Sequence, residues 1–136
     1  MTVRLTDTNL LIRFFTGDDP EKAERVRQLL ERVERNRERI ALSPIVVFET
    51  VFTLQHSYRM ERARIKEMLE DLISLPSVHL PNKRVYFDAL ELYAAHPRLS
   101  FGDAYNASYM AASNLTEIYS YDADFDHLPN ITRVEP

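Results

Sequence analysis

The sequence predicts an α/β fold: a mainly parallel central sheet between helices, in three layers. Three observations predict it. Short apolar runs alternate with amphipathic stretches, two of those runs end in an aspartate, and capping residues, proline or glycine punctuate the helical stretches. Strands that alternate with helices favour parallel pairing, because a parallel crossover needs room for a helix. At 136 residues and 15.9 kDa the chain suits one core better than two. Residues 1–136 are therefore expected to form a single domain.

The first run, residues 2–6, reads as a strand that ends at Asp7 and passes into a helix over 9–16. Asp7 has two readings: a helix cap, a place that Asp7 or Thr8 could fill because Asp and Thr are both ordinary caps, or a carboxylate at the carboxyl edge of a sheet, where open α/β folds place ligands. Gly17 suits a left-handed stop. Asp18-Asp19-Pro20 opens a helix over about 20–38, with Ala23, Val26, Leu29, Leu30 and Val33 on one face and the charge run Glu31 to Arg39 on the wet one. Residues 40–42 form a short buried strand, and Ser43-Pro44 starts a helix over 44–58 that is apolar nearly all round. Glu49 interrupts it, either facing water at an edge or leaning into a cleft.

Residues 61–75 form an amphipathic helix closed by Pro76, and 77–80 an edge strand. A helix over 84–96 stops at Pro97. Ser100 and Asp103 stand at the spacing of a capping pair and open a helix whose small residues, Ala104, Ala107, Ser108 and Ala111, suit close packing against a sheet. Asn114 terminates it. Glu117 to Tyr121 is a strand ending at Asp122, repeating the pattern of the first, and residues 131–134 close the sheet.

Composition removes several functions. Charged residues make up 28% and hydrophobic residues 45%, which is globular usage. No apolar run is long enough to span a bilayer and no signal-type segment opens the chain, so a soluble cytoplasmic protein is expected. Without cysteine there are no disulfides, thiolate zinc sites or thiol nucleophiles. The 4 histidines are scattered, so a bound metal would be held by oxygen. Gly17 and Gly102 are too isolated for a phosphate-cradling loop. A net charge of −4 argues against binding nucleic acid by bulk charge alone.

What remains is acid. Two strands that end in Asp and two helices with an acid near their starts make Asp7, Glu49, Asp103 and Asp122 candidates to converge at one place, where close carboxylates would repel each other unless some protonate or a cation enters. Mg²⁺ suits such oxygens, and with substrate phosphates completing its shell it serves phosphodiester hydrolysis. Asp122-Ala123-Asp124-Phe125-Asp126 imitates the opening of a calcium loop, but His127 stands at the glycine position and Arg133 at the bidentate glutamate. No Gly-x-Ser-x-Gly elbow is present. Tyr105, Tyr109, Tyr119 and Tyr121 read as base-stacking residues or as core and interface.

Asp7-Thr8-Asn9-Leu10-Leu11, Phe48-Glu49, Phe101-Gly102-Asp103-Ala104 and Ser120-Tyr121-Asp122-Ala123-Asp124-Phe125 resemble, in order, the acidic motifs of PIN-domain ribonucleases, particularly VapC toxins of toxin–antitoxin pairs. The resemblance covers nearly the whole chain. It implies a three-layer PIN-like domain and an endoribonuclease dependent on Mg²⁺ or Mn²⁺. It maps the metal-binding acids to Asp7, Glu49, Asp103 and Asp122, with Asn9, Ser120 and Asp124 in support. Ser120 keeps the hydroxyl where the family often has Thr.

The resemblance also implies a homodimer and a cognate antitoxin lying across the active site. Phe14, Phe15, Phe52 and Tyr58 supply either an apolar groove or plain core. Arg13, Arg59, Arg62 and Arg64 are candidates for holding RNA, or a solvated helix face. Two other readings fit the same motifs: a catalytically silent PIN-like interaction module, and a structure-specific DNA nuclease.

Overall fold

The computed structural model describes residues 2–136, so Met1, the first residue of the expected domain 1–136, lies outside the described residues. Strand β1 (Val3–Leu5) leads into helix α1 (Thr8–Thr16), which closes on Gly17 at φ 64°, its N–H donating to the Arg13 carbonyl. A side chain there would be strained. Asp19 caps α2 (Pro20–Glu34), with Pro20 in the first turn where its missing N–H costs nothing. The helix ends earlier than its charge pattern suggests. Asn36 turns to φ 58°, and Arg39 already belongs to strand β2 (Arg39–Ala41), opposite Val3.

Ser43 caps α3 (Pro44–His56) by accepting a hydrogen bond from the Val46 N–H. Helix α4 (Arg62–Ile73) and the edge strand β3 (Val78–His79) follow. Strands β1, β2 and β3 form a parallel sheet in that order, with Arg4 opposite Ile40 and Ile40 opposite Val78. Two helices fill each crossover, as parallel pairing requires. Leu11, Val33, Val47, Leu54, Ile65 and Leu69 are fully buried. Burying each such aliphatic side chain stabilises by about 1.5–3 kcal/mol.

The chain divides into two compact units, Met1–Lys83 and Arg84–Pro136. The second takes in α5 (Lys83–Ala95) from Arg84 onward, α6 (Phe101–Ala112), β4 (Glu117–Tyr119), a 3₁₀ helix (Ala123–His127) and β5 (Thr132–Val134). β4 and β5 pair in parallel, Glu117 opposite Thr132. The small residues of α6 serve two neighbours. Ser108 donates its hydroxyl to the Val85 carbonyl of α5 at 2.8 Å, while Ala107 joins Leu99, Phe125 and Leu128 in a cluster covered by Ile118 and Ile131.

Every strand pairing among the described residues is parallel, as expected. The pairing falls into a three-stranded and a two-stranded sheet, so residues 132–134 close the second of these. No helix among the described residues is long and apolar enough to cross a membrane.

Candidate functional site

In the first unit, the Thr6 N–H extends the β1–β2 ladder to the Ala41 carbonyl at 2.9 Å and delivers Asp7 to the sheet's carboxyl end. Asp7 does cap α1: its Oδ1 accepts from the Leu10 N–H at 3.0 Å. The capping bond uses one carboxylate oxygen and leaves Oδ2 out of it. Glu49 is exposed on α3, on the stripe it shares with Ile45, Phe52 and His56. Its Oε2 accepts a hydrogen bond from the Thr8 hydroxyl at 3.2 Å, so the acid of α3 is tied to the residue after Asp7. Asn9 is exposed and lines a pocket of ≈ 340 Å³ with Leu10, Arg13, Lys22, Arg25 and Val26.

In the second unit, β4 ends at Tyr119, because the chain turns on side-chain bonds immediately afterwards. The Asp122 N–H donates to Ser120 Oγ at 2.9 Å, and Asp122 Oδ1 accepts from the Asp124 N–H at 2.9 Å. Asp122 thus caps the 3₁₀ helix as Asp7 caps α1. Asp103 lies in the first turn of α6, its N–H donating to Ser100 Oγ at 3.0 Å. Burial first, and then the charge of Asp122, push the Asp103 carboxyl above its ordinary range; Asp124 adds to this and a Ser100 hydrogen bond opposes it. Asp103 therefore feels the charge of both neighbouring acids.

Asp126 is different. Arg133 donates to both its oxygens, Nε at 3.0 Å and Nη2 at 3.1 Å, and that hydrogen bonding holds the Asp126 carboxyl below its usual range. The fork occupies the carboxylate as a structural tie between the 3₁₀ helix and β5.

Carboxylate oxygens are the donors that a hard divalent cation prefers, and a cation would relieve the repulsion felt at Asp103. The residues present fit such an ion by chemistry. Among the described residues no group of three or more His, Asp or Glu side chains is gathered closely enough to hold one. The arrangement consists of Asp7 and Glu49 linked through Thr8 in one unit, and Asp103 coupled to Asp122 and Asp124 in the other.

The basic candidates differ in their commitments. Arg13 Nη1 donates to Asp18 Oδ1 at 3.0 Å. Arg59 is exposed at φ 53° in the turn after α3, Arg62 is half-buried at the start of α4, and Arg64 pairs with Glu67 at 3.5 Å. Phe52 and Tyr58 are 64% and 40% exposed, so they are not core. Phe14 and Phe15, rings 5.4 Å apart, line a groove of ≈ 770 Å³ together with Leu30, Met68 and Leu72. The residue that sequence reasoning passed over is Thr8. It reads as an alternative cap, and nothing local announces a bond to a glutamate 41 positions away.

A sequence model of the PIN domain matches residues 4–131. The chain belongs to the PIN-domain family. The order of acidic motifs and the parallel α/β architecture are those of a PIN-like fold. This PIN domain is 26% identical over 126 residues to the VapC ribonuclease of Aquifex aeolicus (strain VF5), an alignment covering 93% of this chain and 92% of that protein. It also aligns with the crystal structure of Mycobacterium tuberculosis VapC20, a Sarcin-Ricin loop cleaving toxin, at 20% identity and a TM-score of 0.42, over 99% of this chain and 100% of that one.

Proposed function

We propose that this PIN domain is an Mg²⁺- or Mn²⁺-dependent endoribonuclease, the toxin of a toxin–antitoxin pair. Similarity to a VapC ribonuclease over nearly the full length of both proteins supports the reaction class. The observation that carries the metal reading is the pair of strand-end acids, Asp7 and Asp122, each holding a helix start through one carboxylate oxygen, beside a partly buried Asp103 whose ionised form burial and Asp122 both disfavour. A scaffold gains nothing from such crowding.

In this reading Asp7, Glu49, Asp103 and Asp122 bind the ion, and the family match from residue 4 to residue 131 supports assigning all four to one domain. Asp7 and Asp122 each give one oxygen to a helix cap, which orients the carboxylate that would meet the cation. Ser120 orients the backbone of Asp122, and Asp124 supplements the local negative field. Asn9 is a polar neighbour for the substrate. When bound, the divalent ion supplies charge stabilisation to the phosphoryl group and acidifies the attacking water.

Arg13, Arg59 and Arg62 then hold the RNA backbone. A cognate antitoxin occludes the site, the toxin is a homodimer, and it acts in the cytoplasm. The test is cleavage of a mixed cellular RNA pool by purified protein with Mn²⁺ or Mg²⁺, with EDTA and Asp7→Asn as controls and matched DNA alongside. Discrete RNA fragments lost in both controls support the reading. Cleavage of the DNA alone, or intact nucleic acid throughout, overturns it.

A further inference from the structure

Glu49 presents a physical problem for the proposed centre. It stands exposed on α3, and a solvated glutamate with free side-chain torsions makes a poorly defined ligand. Among the described residues it accepts one hydrogen bond, from Thr8 Oγ1 to Oε2 at 3.2 Å. Thr8 is well suited to give it. It is the first residue of α1, directly after the capping Asp7, and its β-branched side chain has few χ1 choices. The Asp7 cap and the Thr8 hydroxyl are therefore set by the same helix start.

We infer that Thr8 is a positioning residue: its hydroxyl holds Oε2 of Glu49 and so fixes the carboxylate that would ligate the divalent ion together with Asp7. The inference rests on the metal-dependent reading above. Thr8 touches neither ion nor substrate and acts through Glu49. Outer partners of this kind typically change metal affinity about 10–100-fold when removed. A tie serving only to hold α1 on α3 would leave metal affinity unmoved.

The experiment is calorimetric titration of the purified full chain with Mn²⁺ alone, without RNA, for the parent, Thr8→Val, Thr8→Ala, Thr8→Ser, Glu49→Gln and the Thr8→Val/Glu49→Gln pair. Melting of each metal-free variant is recorded in parallel. Thr8→Val and Thr8→Ala are expected to bind Mn²⁺ about tenfold more weakly, with metal-free melting close to the parent. Thr8→Ser is expected to restore affinity, and the double variant to bind no worse than Glu49→Gln.

Parental affinity in whichever hydroxyl-free variant folds, while Glu49→Gln weakens binding, overturns the inference and leaves the metal reading standing. Equal weakening in Thr8→Ser and Thr8→Val also overturns it, because the hydroxyl is then not the cause. If the parent itself binds no Mn²⁺, the metal reading falls and the inference with it.

Discussion

Tyr58 donates its hydroxyl to Asp18 Oδ2 at 2.6 Å, while the other oxygen of that carboxylate accepts from Arg13 at 3.0 Å. Forty positions of sequence separate the first pair, and the three side chains tie the end of α1 to the turn after α3. The Tyr58 bond first, and the Arg13 bond second, hold the Asp18 carboxyl below its usual range.

A lowered folded-state pKa fixes the direction of a pH effect. Asp18 stabilises the fold above the unfolded carboxyl value of about 3.9, and that contribution is lost as pH falls through the lower folded value. Asp18→Asn and Tyr58→Phe are therefore expected to flatten acid destabilisation in this window. Melting temperature against pH between 2 and 6 is the measurement. The group is solvated, so the difference should shrink in high salt. A variant with the parental pH profile would show that the network contributes nothing.

Asp7 has a structural and a proposed catalytic duty, and two substitutions separate them. Asn caps helices as well as Asp, whereas Ala loses the bond to the Leu10 N–H at a cost of about 0.5–2 kcal/mol. Both variants are expected to lose RNA cleavage, but only Asp7→Ala should unfold at lower denaturant. Cleavage retained by Asp7→Asn would leave the residue as a cap and nothing more.

The contrast between those two duties shows what was legible in the sequence. Asp7, Asp19, Ser43 and Ser100 cap where local spacing places them, since a cap is settled within one helical turn. Gly17 and Asn114 turn left-handed for equally local reasons. Endpoints set by tertiary partners were not legible. α2 yields to the pairing of Arg39 with Val3, and β4 stops at Tyr119 because Ser120 turns back onto the Asp122 N–H. At the site, the acids were legible as motifs, but the Thr8–Glu49 bond was not, because neither residue's neighbours encode it. The commitment of Asp126 to Arg133 is likewise set by the fold: in sequence Asp126 is one more acid after Asp122.

That commitment makes Asp126 a control. Asp126→Asn breaks the charged fork with Arg133 and should lower the melting temperature while metal-dependent cleavage stays near the parental rate. The opposite is expected of Asp122→Asn, because Asn preserves the cap to the Asp124 N–H and only the charge is lost. Cleavage assays paired with melting curves on both variants test the assignment. An inactive, fully stable Asp126→Asn would reverse the two roles.

Asp103 gives the sharpest division between a structural and a metal-binding acid. Burial and the charge of Asp122 disfavour its ionised form, so in the metal-free fold the charge on Asp103 is a cost to stability. Asp103→Asn removes that repulsion and is expected to hold or raise the metal-free melting temperature. A purely structural acid would show the reverse. Saturating Mn²⁺ should stabilise the parent, by about 2.7 kcal/mol at a hundredfold excess over Kd, because the ion binds the folded chain and not the unfolded one. Asp103→Asn should lose most of that gain. Losing several kcal/mol of charge stabilisation at the phosphoryl group corresponds to at least about a 10²-fold fall in cleavage rate. Melting with and without Mn²⁺ reads the first two effects and single-turnover cleavage the third. A variant that melts lower, responds to Mn²⁺ like the parent and still cuts RNA would place Asp103 in the helix cap alone.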